Sequence, residues 1–116
     1  MQLLISVTNV QEAQMALAHQ VDIIDLKDPA TGALGALPFE VINEVVQYVQ
    51  KQTQYVKPSI SATIGDTPML PEMLVEKVER LHTTGVDYIK IGFFATDDYQ
   101  PCLNALQPIT RTGAKM

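Results

Sequence analysis

Residues 21–27 read VDIIDLK, and residues 86–91 repeat the same pattern as VDYIKI. The alignment of the two segments sets Asp25 opposite Lys90, 65 residues further along. Both are short apolar runs of the kind that form buried parallel strands, and their spacing leaves room for two strand–helix units. Alternate strands of a (β/α) barrel contribute side chains to the same interior layer, so the repeat indicates that fold.

The periodicity of apolar residues predicts four strands and four helices in alternation. Each strand is too apolar to be half-exposed, which predicts a parallel sheet covered by helices. The predicted strands are Leu3–Val7, Val21–Leu26, Ser59–Ile64 and Val86–Ile91. The helices are predicted from an Asn9 cap to about Ala18, from Pro38 through Val49, over Pro71–His82 with Gly85 as a stop, and from Asp98 to about Leu106.

The length of the chain, 116 residues, limits how much of a barrel it can form. A complete (β/α)8 barrel has about 250 residues, so residues 1–116 are expected to be one domain, a (βα)4 half of such a barrel. A half barrel leaves its first and fourth strands as open edges, which predicts association into a homo-oligomer or with a missing second half. The alternative is a small open parallel α/β sheet with helices on both faces, which is closed enough to be a monomer.

The composition excludes several classes of protein. With 47% hydrophobic and 18% charged residues and a formal charge of −5, the chain is expected to be soluble and globular. The acidic balance argues against nucleic acid or an anionic membrane as partner. Cys102 is the only cysteine, which fits a reducing cytoplasm. The first residues, MQLLISVTNV, match neither a signal peptide nor a transmembrane segment.

The end of the second predicted strand carries the candidate chemistry. Side chains alternate along a strand, so Asp25 and Lys27 point the same way, toward the mouth where barrels keep their active sites. Lys90 is predicted in the layer of Asp25. Two ammonium groups close together in a partly dry pocket favour loss of a proton from one of them, and a neutral amine can form a Schiff base with a carbonyl. Asp25 then suits proton transfer. The residues alone leave open that these lysines are solvated charges at strand ends.

The other candidates are weaker. Gly32 and Gly35 either let the backbone approach a phosphate or form the turn before the next helix. Asp66 and Ser6 follow or end strands, where they either face the site or bond locally. No histidine or cysteine has a partner at metal-ligand spacing, so no metal is predicted. No cofactor is predicted either, because condensation at a carbonyl through a lysine needs none.

Four segments together resemble the (5-formylfuran-3-yl)methyl phosphate synthase family: ISVTNVQEA, VDIIDLKDPATGALGALP, SATIGD and VDYIKIG. The resemblance covers about residues 2–107, and the run that begins at Asp25 is long and specific. It implies a (β/α)8 barrel and a reaction in methanofuran-type cofactor biosynthesis. In that reaction two molecules of glyceraldehyde 3-phosphate condense to a furan aldehyde phosphate, with loss of phosphate and water.

The resemblance also implies roles for three residues. Lys27 matches the Schiff-base lysine, Asp25 matches an aspartate that helps in proton transfer, and Lys90 matches a lysine of the same site. Family members continue for another half, which this chain lacks.

Two functions follow. The chain is a Schiff-base lyase of this family, or it is a truncated, inactive half that serves as an interaction or remnant module. A barrel of the orotidine-type decarboxylase group ranks below both, because its Asp-x-Lys-x-x-Asp motif would need aspartate where Ala30 stands.

Overall fold

The computed structural model describes residues 1–31, 35–52, 56–65, 70–92 and 100–110. Strands and helices alternate as predicted. The strands are β1 (Leu4–Val7), β2 (Ile23–Leu26), β3 (Ser59–Thr63) and β4 (Tyr88–Lys90). The helices are α1 (Val10–Ala18), α2 (Phe39–Lys51), α3 (Pro71–His82) and α4 (Gln100–Thr110), with a short 3-10 turn at Pro29–Thr31. The start predicted for the last helix, Asp98, lies outside the described residues.

The four strands form one parallel sheet in the order β1-β2-β3-β4. Crossovers between parallel strands are almost always right-handed. When the strand order never reverses, such crossovers place every helix on the same face of the sheet. A sheet with helices on both faces needs a reversal of the order. The fold is therefore the (βα)4 half of a barrel.

The core lies between the sheet and this helical layer. Residues of β2, β3 and β4 that point toward the helices are buried, as are the apolar stripes of the helices. The strand residues are Ile24, Leu26, Ile60, Ala62 and Ile89, and the helix residues include Leu17, Val45, Val49, Leu74 and Val78.

The prediction that every strand is buried is wrong for β1. Leu4 is 46% and Ile5 is 37% exposed, because β1 is an edge strand and no described residue lies beyond it. Tyr88, on the opposite edge strand, is 39% exposed. Both edges of the sheet therefore present apolar side chains to solvent.

The helix ends follow local chemistry. Asn9 caps α1, since its side-chain oxygen accepts a hydrogen bond from the backbone N–H of Glu12 at 2.8 Å. The Glu12 carboxylate accepts from the hydroxyl and the backbone N–H of Thr8, and these bonds lower the pKa of Glu12. Pro38, predicted as the first helical residue, is instead the N-cap of α2, and the helix begins one residue later at Phe39. Gly85, with φ +90°, follows the end of α3 as predicted.

Two aspartates of the repeat bond to the preceding strand in the same way. The backbone N–H of Asp22 donates to the carbonyl of Leu3 at 3.0 Å, and the N–H of Leu3 donates to the Asp22 carboxylate at 2.6 Å. Asp87 and Ile60 make the same reciprocal pair at 2.8 Å in both directions. The 65-residue repeat is therefore present in the structure as well as in the sequence. In each copy the aspartate joins two neighbouring strands near their start.

Candidate functional site

The face of the sheet that points away from the helices carries polar side chains at the carboxyl ends of the strands. The register sets Ser6 beside Asp25 and Asp25 beside Ser61, each on a neighbouring strand. Thr63 lies beside Lys90, two residues further along their strands. Because side chains of aligned positions share one face, these residues form a polar cluster that we call the inner-face cluster. It lies where parallel α/β folds bind their ligands.

Asp25 is the centre of the inner-face cluster. Its carboxylate accepts hydrogen bonds from the Ser61 hydroxyl at 2.8 Å, the Ser6 hydroxyl at 3.1 Å and the Lys90 ammonium at 2.9 Å. Asp25 is only 2% exposed. A charge this deeply buried is costly unless it is paired and hydrogen-bonded, and here it is both.

Lys90 meets Asp25 diagonally across the sheet. The register aligns Asp25 with Ser61 and Ser61 with Tyr88, so Lys90 lies two positions beyond that row. The ammonium nevertheless forms an ion pair with Oδ2 of Asp25. Strands in a barrel tilt, so the residues of one interior layer are staggered along neighbouring strands. The structure thus brings together the two residues that the repeat aligned.

Lys27 lies one position past the end of β2. Its backbone N–H donates to the carbonyl of Val7 at 3.2 Å, so the pairing with β1 continues and keeps the side chain on the face of Asp25. The side chain is half-buried. Within the described parts of the chain, its ammonium has neither a carboxylate nor a hydrogen-bond partner in reach. Lys90 is therefore ion-paired, whereas Lys27 is paired with no described carboxylate.

The remaining candidates divide into two groups. Gly35 is buried, and its carbonyl accepts a hydrogen bond from the backbone N–H of Asp28 at 2.9 Å, a contact that closes the loop after β2. Ser6 is at the edge of the inner-face cluster, bonded to Asp25. Gly32 and Asp66 lie outside the described residues.

Ser61 is the site residue that the sequence analysis missed. The pattern that would have revealed it is the alternation Ser59, Ser61, Thr63 in a strand whose other residues are Ile60 and Ala62. Such alternation marks a strand with one polar face. The same run is also apolar enough for a strand that is buried on both faces, and that pattern does not single out Ser61.

Three further features of the described residues bear on the choice of site. A cleft of about 270 Å³ lies between α2 and α3, beside Phe39 and Arg80, and reaches Thr63 at the carboxyl end of β3; Asp25 is not among the residues that line it. No group of three metal-ligating side chains occurs among the residues the structure describes. None of the described helices is long and apolar enough to cross a membrane.

Comparison with known proteins shows the family. The model of the 4-HFC-P synthase family matches residues 3–116. The (5-formylfuran-3-yl)methyl phosphate synthase of Methanobrevibacter smithii is 33% identical over 112 residues, which are 97% of this chain and 45% of that protein. The enzyme of the same name from Methanococcus aeolicus is 35% identical over 111 residues, and that from Methanopyrus kandleri is 34% identical over 109.

These matches cover nearly all of the chain, but the chain spans only about 45% of the length of the first of these relatives. The residues matched by the family model include the segments that form β1 to β4 and the inner-face cluster. The chain belongs to the 4-HFC-P synthase family.

Proposed function

We propose that Lys27, on the same face of the sheet as the inner-face cluster, forms a Schiff base with a phosphorylated aldehyde. The observation that carries the proposal is the division between the two lysines: Lys90 is paired with Asp25, and Lys27 has no carboxylate partner among the described residues. The relatives are named for the synthesis of (5-formylfuran-3-yl)methyl phosphate. We infer that the substrate is glyceraldehyde 3-phosphate and that the chemistry serves that synthesis.

The electrostatics favour Lys27 as the nucleophile. An amine must lose its proton before it attacks a carbonyl, and a nearby carboxylate would hold that proton in place. Asp25 is already engaged by Lys90, so its charge does not act on Lys27 alone.

The bond changes balance without a cofactor. The Lys27 nitrogen attacks the aldehyde carbon and loses a proton, while the carbonyl oxygen takes one up to give a carbinolamine. That hydroxyl then takes up a second proton and leaves as water, as the nitrogen lone pair forms the C=N bond of a protonated imine. Asp25 and Lys90 are the groups on this face that can accept and donate the protons.

We also propose that a second copy of the chain covers the inner face. The Lys90 side chain is 40% exposed, so a single chain leaves the cluster open to water. Schiff-base chemistry benefits from a site that excludes water. An apolar groove of about 400 Å³ runs between β1 and α1, beside Leu3, Ile5 and Met15.

A dimer with a twofold axis would pair both open edges of the sheet. Under that symmetry, β1 of each copy pairs with β4 of the other, and the eight strands close without an edge. The second copy would also bring a second Asp25 and Lys27 to the opposite wall of the interior.

The test is reductive trapping. The chain is incubated with glyceraldehyde 3-phosphate and borohydride, and the adduct is located by intact mass and peptide mapping. We expect one adduct on Lys27, absent in Lys27→Ala and retained in Lys57→Ala, a matched change at an exposed lysine before β3. Labelling spread evenly over surface lysines would contradict the proposal. Absence of any adduct would favour the inactive half as the function of this chain.

A further inference from the structure

We propose that Ser6 and Ser61 are positioning residues that commit Oδ2 of Asp25 to Lys90 and leave Oδ1 to exchange a proton with the substrate. The proton exchange rests on the function proposed above. The orientation of the carboxylate does not, so the two are tested by separate measurements.

The hydrogen bonds are unequally divided between the carboxylate oxygens. Oδ2 accepts from both Ser6 and Lys90, at 3.1 and 2.9 Å, whereas Oδ1 accepts from Ser61 alone, at 2.8 Å. A carboxylate oxygen offers about two lone-pair directions. Counting the described residues, Oδ2 is therefore fully occupied and Oδ1 has one direction open.

The two serines fix which oxygen is which. The terminal torsion of an aspartate is broad and roughly twofold, so rotation would exchange Oδ1 and Oδ2. Ser6 on β1 and Ser61 on β3 are the register partners of Asp25 on its two sides. Each hydroxyl bonds to a different oxygen, and together they hold the plane of the carboxylate.

Burial raises the free-energy cost of losing these hydrogen bonds. Asp25 is 2% and Ser61 is 4% exposed. Hydrogen bonds to a charged group are stronger than neutral ones, and a buried acceptor that loses its donor keeps the full cost of desolvation. The bond from Ser61 is the shorter and more buried of the two, so its loss has the larger effect.

A double-mutant cycle tests whether the serines act through Asp25. We expect Ser61→Ala to slow trapping of Lys27 by glyceraldehyde 3-phosphate about tenfold. In an Asp25→Asn background, the same change should slow it by less than about twofold, because the carboxylate through which Ser61 acts is gone. Equal effects in the two backgrounds would overturn the proposal.

The chain offers a matched control and a conservative rescue. Ser59→Ala makes the same chemical change on the same face of β3, two residues before Ser61, and should leave trapping unchanged. Ser6→Thr keeps the hydroxyl at an exposed edge position and should restore most of the rate lost in Ser6→Ala. If Ser61→Ala does not fold, the double-mutant cycle is made with Ser6→Ala, and Ser6→Thr is its conservative control.

The orientation of the Asp25 carboxylate is tested without substrate, by NMR of the Lys90 ammonium in protein labelled with ¹⁵N-lysine. We expect an ammonium signal slowed in hydrogen exchange, which disappears in Ser6→Ala and Ser61→Ala and persists in Ser59→Ala. An unchanged signal in both serine variants would overturn the proposal. If the signal responds as expected but wild-type protein gives no Lys27 adduct, the positioning stands and the proposed Schiff-base function fails.

Discussion

At the scale of single residues, the sequence repeat pointed to a contact between two side chains as well as to two similar strands. It aligned Asp25 with Lys90, and the two side chains meet at 2.9 Å. It also aligned Asp22 with Asp87, which form equivalent pairs with neighbouring strands. Ser61 was harder to predict, because the alternation Ser59, Ser61, Thr63 marks a polar face of the strand but does not say which side chain on a neighbouring strand that face meets.

The two strand-joining aspartates lead to a prediction about stability. Asp87→Ala leaves the backbone N–H of Ile60 without its partner, and Ile60 is 3% exposed. We expect a loss of about 1–3 kcal/mol in the free energy of unfolding, the cost of an unsatisfied buried donor. Asp22→Ala frees the N–H of Leu3, which is exposed and can bond to water, so we expect less than about 1 kcal/mol.

Urea unfolding of both variants, followed by circular dichroism, measures the difference. Asp87→Asn serves as the control, because an amide oxygen still accepts the bond without the charge. Equal losses in Asp87→Ala and Asp22→Ala would show that burial of the N–H does not set the cost.

At the scale of elements, the connection from α3 to β4 depends on Gly85. Its φ of +90° is a conformation that residues with a side chain rarely adopt. A Cβ there would also lie 2.9 Å from the Nε2 atom of Gln50, the far end of a flexible side chain. The conformational cost is therefore the larger of the two effects.

We expect Gly85→Ala to lower the free energy of unfolding by about 1–2 kcal/mol. Thermal and urea unfolding of Gly85→Ala with and without Gln50→Ala separates the two effects. A cost of conformation persists when Gln50 is truncated. Full recovery of stability in the double variant would instead identify the contact with Gln50 as the cause.

At the scale of the whole molecule, no described residue pairs with either edge of the sheet or covers its polar face. The twofold pairing proposed above predicts a particle of twice the 12.8 kDa chain mass. Ile5→Lys places a charge on the β1 edge, where lysine blocks strand pairing, and should give monomers. Ile5 is 37% exposed in the single chain, so the change is compatible with its fold.

Light scattering coupled to size-exclusion chromatography measures the mass across a range of concentrations. Met73→Lys is the matched control, because Met73 is 39% exposed and belongs to α3, not to an edge strand. A wild-type chain that stays monomeric at high concentration would contradict the pairing, and so would a dimer that Ile5→Lys leaves intact.

The order of strands and helices along the chain, the Asn9 cap, the stop at Gly85 and the shared face of Asp25 and Lys27 could all be predicted from the amino-acid pattern. These features depend on residues within a few positions of one another, where periodicity and backbone preference decide the outcome. The exposure of β1, the hydrogen bond from Ser61 to Asp25 and the diagonal contact of Lys90 with Asp25 could not be predicted in this way. Those contacts depend on strand register and stagger, which the packing of the whole sheet against its helices sets and no local segment encodes.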